Sequence, residues 1–483
     1  MEFSNLRVYQ PDGTFKTGGL SISDDRIASA EVSADAVDMD GLYAVPGLVD
    51  LHFHGCMGRD FCDGTHEAIS TLAKYQAQIG VAAICPATMT YPEEKLTQIA
   101  EAAATYQVES NDAALVGINM EGPFISEAKK GAQNGAYLHA PDAAMFRRVQ
   151  EKAGGLFKLC DLAPELPGSM ETIDELAGEV RISIAHTTAD YDTACEAFKH
   201  GARQVTHLYN AMPPFSHRAP GVIGAAFDND NVAVELIADG VHVHPSVVRA
   251  TFRLFENRVI LISDSMMATG LDDGEYSLGG QAVTVRGNLA TLHDGTIAGS
   301  ATNLMDCVRS AVKMGVPLGQ AIRSASTNPA RAIGIEHDYG SLEPGKLANV
   351  LLLDDGRSFQ IARGAAWRAA PRSSRGRAPS YSGCRIKIPC PSRRDASRRP
   401  HRPDPRGPRQ RQHAVRSAPH RAAAGRRRAG ESSNTRRTPG ARPAWQGPPP
   451  SRRRVPRRCR HQKSAWGTAR KSRAGRCRRA SQR

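Results

Sequence analysis

The sequence predicts an α/β protein: a (β/α)8 TIM barrel with a small β-sandwich domain built from both ends of its folded body, followed by a disordered basic tail. Three observations predict it. Eight apolar runs alternate with helix-like stretches, short alternating strands flank that series, and the composition changes abruptly near residue 356.

The net charge of +14 over 483 residues is an average of two unlike parts. Up to residue 356 there are 25 Lys and Arg against 46 Asp and Glu; beyond it there are 38 against 3. The first part has the apolar content and length to bury a large core. The second, 357–483, reads "RGAAWRAAPRSSRGRAPS" and "SRRRVPRRCRHQK", without aliphatic periodicity. Such a chain cannot bury enough apolar surface to offset its ordering entropy, so disorder is predicted. Two readings of this tail stay open. One is an arginine-rich arm attracted to nucleic-acid phosphate. The other is a reading-frame shift in a GC-rich gene that replaced the native C-terminus, since 35 of the 38 basic residues are Arg, and Arg, Pro, Ala and Gly are the residues of GC-rich codons. On the second reading no specific nucleic acid is a partner, and the segment "RSFQIARG" could still belong to the body.

The elements follow in order. Residues 1–47 contain "NLRVYQPDGTFKTGGLSISDDRIASA", which alternates as hairpin strands do, with D-G and G-G turns. The barrel is placed at 48–335. Its eight strands are "YAVPGLVDLHFHG", "GVAAICPATMT", "ALVGINMEGPF", "LFKLCDLAPEL", "VRISIAHTTAD", "RQVTHLYNAM", "NVAVELIADGVHVH" and "RVILISDSMMATG". Intervening stretches such as "THEAISTLAKYQAQIG" and "DYDTACEAFKHG" carry apolar residues at i, i+3 and i+4 and end in Gly, the pattern of helices with C-terminal stops. A β-insertion is predicted at about 271–297, and 336–356 returns to the β-domain, cut short by the tail.

In such a barrel chemistry sits at the C-terminal strand ends. Those ends carry His52 and His54, Glu121, His186, His207, His242 and Asp264 in an otherwise oily pattern. In "VPGLVDLHFHGC" the two histidines are two apart, so a strand projects both rings from one face. An isolated HxH is equally a pair of satisfied strand-end histidines. Seven such residues converging on one mouth make a divalent-metal site the economical account, because imidazole and carboxylate are ligands of zinc and related ions.

With these residues in place, 1–356 resembles the N-acetylglucosamine-6-phosphate deacetylase family of the amidohydrolase superfamily. The resemblance rests on "PGLVDLHFHG", "MEGPFISEAKKGAQ", "AHTTAD", "THLYNAM", "HRAPGVIGAA", "IADGVHVHP", "SDSMMATG" and "GTIAGSATNL", in family order. It implies Glu121, His186 and His207 as main metal ligands and His52 and His54 as the pair that helps bind a second ion, giving one or two divalent ions (Zn, Fe or similar) per subunit. It implies Asp264 as acid/base. Asn210, Ala211, Arg218 and His242 are the implied groups around the sugar phosphate, with Ala132 and Gln133 at the substrate and the loop Ile297, Ala298, Gly299 closing over it. Gln133 stands where some members carry a carbonyl-polarising His and others Gln. Strand 4 lacks the lysine that bridges two metals elsewhere in the superfamily. Taken alone, Arg218 reads as a surface arginine paired with a carboxylate, and His242 as a core histidine beside a competing His244.

The implied reaction removes the N-acetyl group from N-acetylglucosamine 6-phosphate, in amino-sugar catabolism. The alternatives are another amidohydrolase, acting on a cyclic amide or an N-acyl amino acid, or a basic nucleic-acid-binding protein acting through the tail. A homodimer is implied, with Arg218 reaching a neighbour's site. The six scattered cysteines of 1–356, without CxxC spacing, fit a reducing cytoplasm, and no apolar stretch approaches the roughly 20 residues of a membrane helix.

Overall fold

The computed structural model describes residues 1–109 and 111–354, and the backbone of 358–363. All of these belong to one compact unit. The expectations about the tail from 364 onward lie outside the described residues.

Eight parallel strands form the barrel: β1 Leu48–Asp50, β2 Val81–Ile84, β3 Ala114–Leu115 with Ile118–Met120, β4 Phe157–Leu162, β5 Arg181–Ile184, β6 Gln204–Val205, β7 Ala233–Ile237 and β8 Val259–Ile262. Register runs Asp50↔Ile84 and Leu115↔Ile84, then Met120↔Cys160, Leu162↔Ile184, Ile184↔Val205, Val205↔Val234 and Ile237↔Ile262. β3 changes partner midway, as Val116 N–H bonds to Ile84 and Ile118 N–H to Leu156. The circle closes between β8 and β1, where Asp264 N–H donates to His52 O at 3.0 Å and His54 N–H to Ser265 O at 2.8 Å. The strands are almost wholly buried, consistent with continuous apolar runs covered on both faces.

Helices wrap the strands for the reasons their sequences suggest. Thr65 caps His66–Gln78 by accepting from Ala68 N–H, and that helix turns Ile69, Leu72, Ala73 and Ala77 inward. Asp190 likewise caps Tyr191–His200, whose C-cap is Gly201. After β8 the chain forms an antiparallel sheet, Gly274–Leu278, Gln281–Arg286 and Leu289–Thr291. Gly279 and Gly280, both at positive φ, make its first turn.

The predicted small β-sandwich is, among the described residues, one mixed sheet of seven strands. Its order is Ser358–Arg363, Asn349–Asp354, Tyr43–Pro46, Glu2–Tyr9, Phe15–Ser23 and Arg26–Ser29, with Val37–Asp38 also on Glu2–Tyr9. Two local readings change. Gly18-Gly19 is no turn: it lies inside Phe15–Ser23, where a Cβ on Gly19 would meet Val32 at 2.6 Å, so close approach explains the glycine. The sheet also continues past residue 356, since Ser358–Arg363 pairs antiparallel with all six residues of Asn349–Asp354.

Candidate metal centre

Six of the predicted residues converge at the C-terminal mouth of the barrel. Glu121 Oε1 lies 3.0 Å from His186 Nε2, 3.2 Å from His207 Nε2 and 3.5 Å from His52 Nε2. Its other oxygen, Oε2, is 3.3 Å from His54 Nε2. One carboxylate therefore serves two clusters, Glu121 with His186 and His207, and Glu121 with His52 and His54, each with ligand atoms within 4.8 Å of one another. Asp264 Oδ1 stands 3.3 Å from His54 Nε2. All six side chains are buried.

Local backbone explains how the strands deliver them. His52 and His54 extend β1 along β8, so both rings face inward. At the ends of β5, β6 and β8 the site residue itself turns into the left-handed region, with φ of 44° at His186, 28° at His207 and 48° at Asp264. For non-glycine residues that conformation costs about 1 kcal/mol or more, and such strain clusters at functional sites. Gly299, at φ 61°, lies against this turn; a Cβ there would sit 3.1 Å from Asp264 O.

Hydrogen bonding settles which nitrogens face the cluster. His186 Nδ1 is 2.8 Å from the Lys129 carbonyl, which can only accept, so Nδ1 carries the proton and neutral Nε2 presents a lone pair to a carboxylate. His52 repeats the pattern: Nδ1 donates to Glu235 at 3.0 Å, while Nε2 is buried with no hydrogen-bond partner. Lone pairs aimed at carboxylate oxygens require positive charge between them, so this donor set fits a divalent cation. The field agrees. Burial alone would disfavour charge on His54, yet Asp264 and Glu121 push its pKa up to about 10. Burial likewise opposes ionisation of Asp264, but His54 and His52 hold its carboxyl below the usual range.

The remaining predicted residues divide. Gln133 is buried and oriented without ambiguity: its oxygen accepts from Thr90 N–H at 2.7 Å and its amide donates to Glu121 Oε2 at 2.8 Å. The neighbouring Ala132 carbonyl accepts from Gln281. Asn210 is tied to the His207 carbonyl at 3.1 Å, and the Ala211 carbonyl receives Thr187 N–H. Ala298 is buried beside half-exposed Ile297. His242 is held by Asp239 at 2.8 Å, whereas His244 caps Pro245–Phe255, which separates the two histidines. Arg218 is exposed on the loop before Gly221–Phe227 and, among the described residues, forms no ion pair.

Sequence reasoning missed Glu235, Gln204, Asp239 and Asp161. Glu235 in "VAVELIADG" and Asp161 in "LFKLCDLAPEL" are charges inside oily runs, and that was their available signal. Burial, then Glu235, holds Asp161 well above the ordinary carboxyl range.

The pattern of the amidohydrolase family matches residues 43–373. An N-acetylglucosamine-6-phosphate deacetylase of Bacillus subtilis (strain 168) is 35% identical over 367 residues, covering 72% of this chain and 92% of the relative. An N-acetylgalactosamine-6-phosphate deacetylase of Escherichia coli O157:H7 is 32% identical over 73% of this chain and 95% of its own. Among solved structures, the N-acetylglucosamine-6-phosphate deacetylase of Pasteurella multocida superposes with a TM-score of 0.71 at 28% identity, covering 76% of this chain and 99% of the other. That of Mycobacterium smegmatis gives 0.70 at 30%, covering 75% and 98%. The chain belongs to the amidohydrolase family, on the branch that holds the N-acetylglucosamine-6-phosphate deacetylases.

Proposed function

We propose that this chain hydrolyses the acetamide of N-acetylglucosamine 6-phosphate, giving glucosamine 6-phosphate and acetate in amino-sugar catabolism. The observation that carries the reading is the convergence of four imidazoles on the two oxygens of Glu121, with Asp264 beside them. Glu121, His186 and His207 would hold one divalent ion of the zinc or iron type, and His52 and His54 with Glu121 a second. A divalent ion there supplies Lewis acidity, polarising a carbonyl and lowering the pKa of water from about 15.7 towards about 7.

The chain's own groups do the rest. Asp264, 3.3 Å from His54 Nε2, takes the proton of the attacking water at its carboxylate. It returns that proton to the departing nitrogen as the C–N bond breaks. Gln133 keeps one amide hydrogen beyond the one given to Glu121 and can donate it to the acetyl oxygen. Arg218 offers a planar fork to phosphate, and His242, Asn210 and Ala211 would hold the same sugar phosphate. Ile297, Ala298 and Gly299 shield the reacting carbon from water. Because Arg218 is exposed and forms no ion pair among the described residues, it is available to a neighbouring subunit's site in a homodimer.

Six described cysteines are unpaired, which suits a cytoplasmic setting, and no helix among the described residues is long and apolar enough to cross a membrane. The acidic body disfavours phosphate polymers, so nucleic-acid binding is not proposed.

The test is acetate release from N-acetylglucosamine 6-phosphate, its galacto epimer and the unphosphorylated sugar, with metal content per chain. Turnover of the phosphorylated gluco sugar is expected to dominate. A preference for the galacto epimer would move the assignment to the activity named for the Escherichia coli relative, and no turnover of either phosphate would refute it.

A further inference from the structure

A line of side chains crosses the barrel interior and ends on His52. Arg181 Nε donates to Gln204 Oε1 at 2.7 Å. Gln204 Nε2 donates to Glu235 Oε1 at 2.5 Å, and His52 Nδ1 donates to Glu235 Oε2 at 3.0 Å. Gln204, Glu235 and His52 are all 0% exposed. Arg181 and Gln204 open β5 and β6, so the line starts at the barrel end opposite the candidate metal centre.

The donors can point only one way. Guanidinium has no acceptor, so the Gln204 oxygen must face Arg181 and its amide must face Glu235. Carboxylate has no donor, so the proton of neutral His52 sits on Nδ1 and its Nε2 lone pair is left for a cation beside Glu121. Reversing any link would set two like groups against each other in a dry interior, where an unsatisfied polar group is costly. Glu235 also receives His207 N–H at 3.3 Å, and so touches a residue of each cluster.

At its outer end Arg181 donates to the Arg203 carbonyl at 2.9 Å and lines a cavity of about 190 Å³ shared with Arg258 and Arg331. Among the described residues it forms no contact ion pair. Burial pulls its pKa down to about 10, which leaves it cationic at neutral pH. Its charge is thus opposed to Glu235 through the intervening amide rather than spent on a nearer carboxylate.

We propose that Arg181, Gln204 and Glu235 form a positioning relay that fixes the tautomer and aim of His52 from the far end of the barrel. None of the three touches substrate; the inference rests on the metal reading above.

The experiment measures Co²⁺ affinity and visible absorption of the full-length protein by equilibrium dialysis and spectroscopy. Glu235→Gln, which cannot accept from both His52 and Gln204 as the carboxylate does, is expected to weaken binding by about 10- to 100-fold. Arg181→Met, which frees Gln204 to flip, should weaken it by about 3- to 10-fold, and Arg181→Lys, which keeps a donor, should restore most of the loss. A purely structural role for Arg181 would lower the melting temperature of the metal-free protein while leaving cobalt affinity and spectrum unchanged, and that result overturns the relay. If Glu235→Gln does not fold, the two Arg181 variants decide. Wild-type protein that binds no cobalt overturns the metal reading itself, whereas equal binding by wild type and variants overturns the relay alone.

Discussion

The Nε2 atoms of His186 and His207 lie 3.1 Å apart, and both stand within 3.2 Å of the same oxygen of Glu121. With His186 Nδ1 proton-bearing, its Nε2 has no hydrogen of its own to share in the neutral ring. Such crowding is stable when a cation takes the lone pairs, so metal and fold should be linked thermodynamically. Chelation is expected to lower the melting temperature, with re-addition restoring it. At an ion concentration 100 times the dissociation constant the linkage is worth about 2.7 kcal/mol. Calorimetry with and without chelator checks this, and superimposable melts would count against the centre.

Asp264 adjoins His54 but is not needed to complete the Glu121, His186 and His207 cluster. Asp264→Asn removes the proton acceptor while leaving the three ligands in place. We expect kcat to fall by about 10²- to 10⁴-fold with the ion of that cluster retained. Turnover together with elemental analysis separates this from simple loss of metal.

Arg218 is exposed and makes no competing ion pair among the described residues, so its removal should be felt mainly by the phosphate. Arg218→Ala is expected to raise KM for the phosphorylated sugar by about 10- to 100-fold, the equivalent of a charge-assisted hydrogen bond of about 1.5–3 kcal/mol. The weak hydrolysis of the unphosphorylated sugar should be unaffected. Equal KM values for variant and wild type would remove Arg218 from the phosphate site.

Asp239 and His242 form a buried pair at 2.8 Å. Burial opposes charge on both, yet each partner outweighs it: the His242 pKa is raised and the Asp239 pKa lowered. The lowered carboxyl contributes stability above its unfolded value of about 3.9, lost as pH falls through the folded one; the raised imidazole contributes below about 6.5, lost as pH rises through its folded value. The pair therefore contributes most between about pH 4 and 6.5. Asp239→Asn is expected to cost about 2 kcal/mol near pH 5.5 and less above pH 8. Urea unfolding at the two pH values reads the difference, and a pH-independent cost would refute the linkage.

Much of this arrangement was legible in the order of residues. Eight apolar runs, six of them breaking into the named His, Glu or Asp, identified the strands, their C-terminal ends and the six residues that meet, because burial on both faces makes an oily run in which a polar residue stands out. Terminal glycines such as Gly80 and Gly201 marked helix ends for an equally local reason. Gly18-Gly19 misled, since close approach of Val32, which folds back from beyond the next strand, demands the same residue as a turn.

What tertiary structure alone decided is how these residues address one another. Residue order alone brought out which side chains gather at the barrel mouth and from which strand ends they come. It did not reveal that one carboxylate, Glu121, joins both imidazole pairs, that Gln133 turns its amide to that carboxylate, or that Arg181 connects to His52 through Gln204 and Glu235. The physical reason is range. Periodicity and capping are written within one turn or one strand, whereas a hydrogen bond between residues on different strands depends on barrel register, which emerges only when all eight strands close.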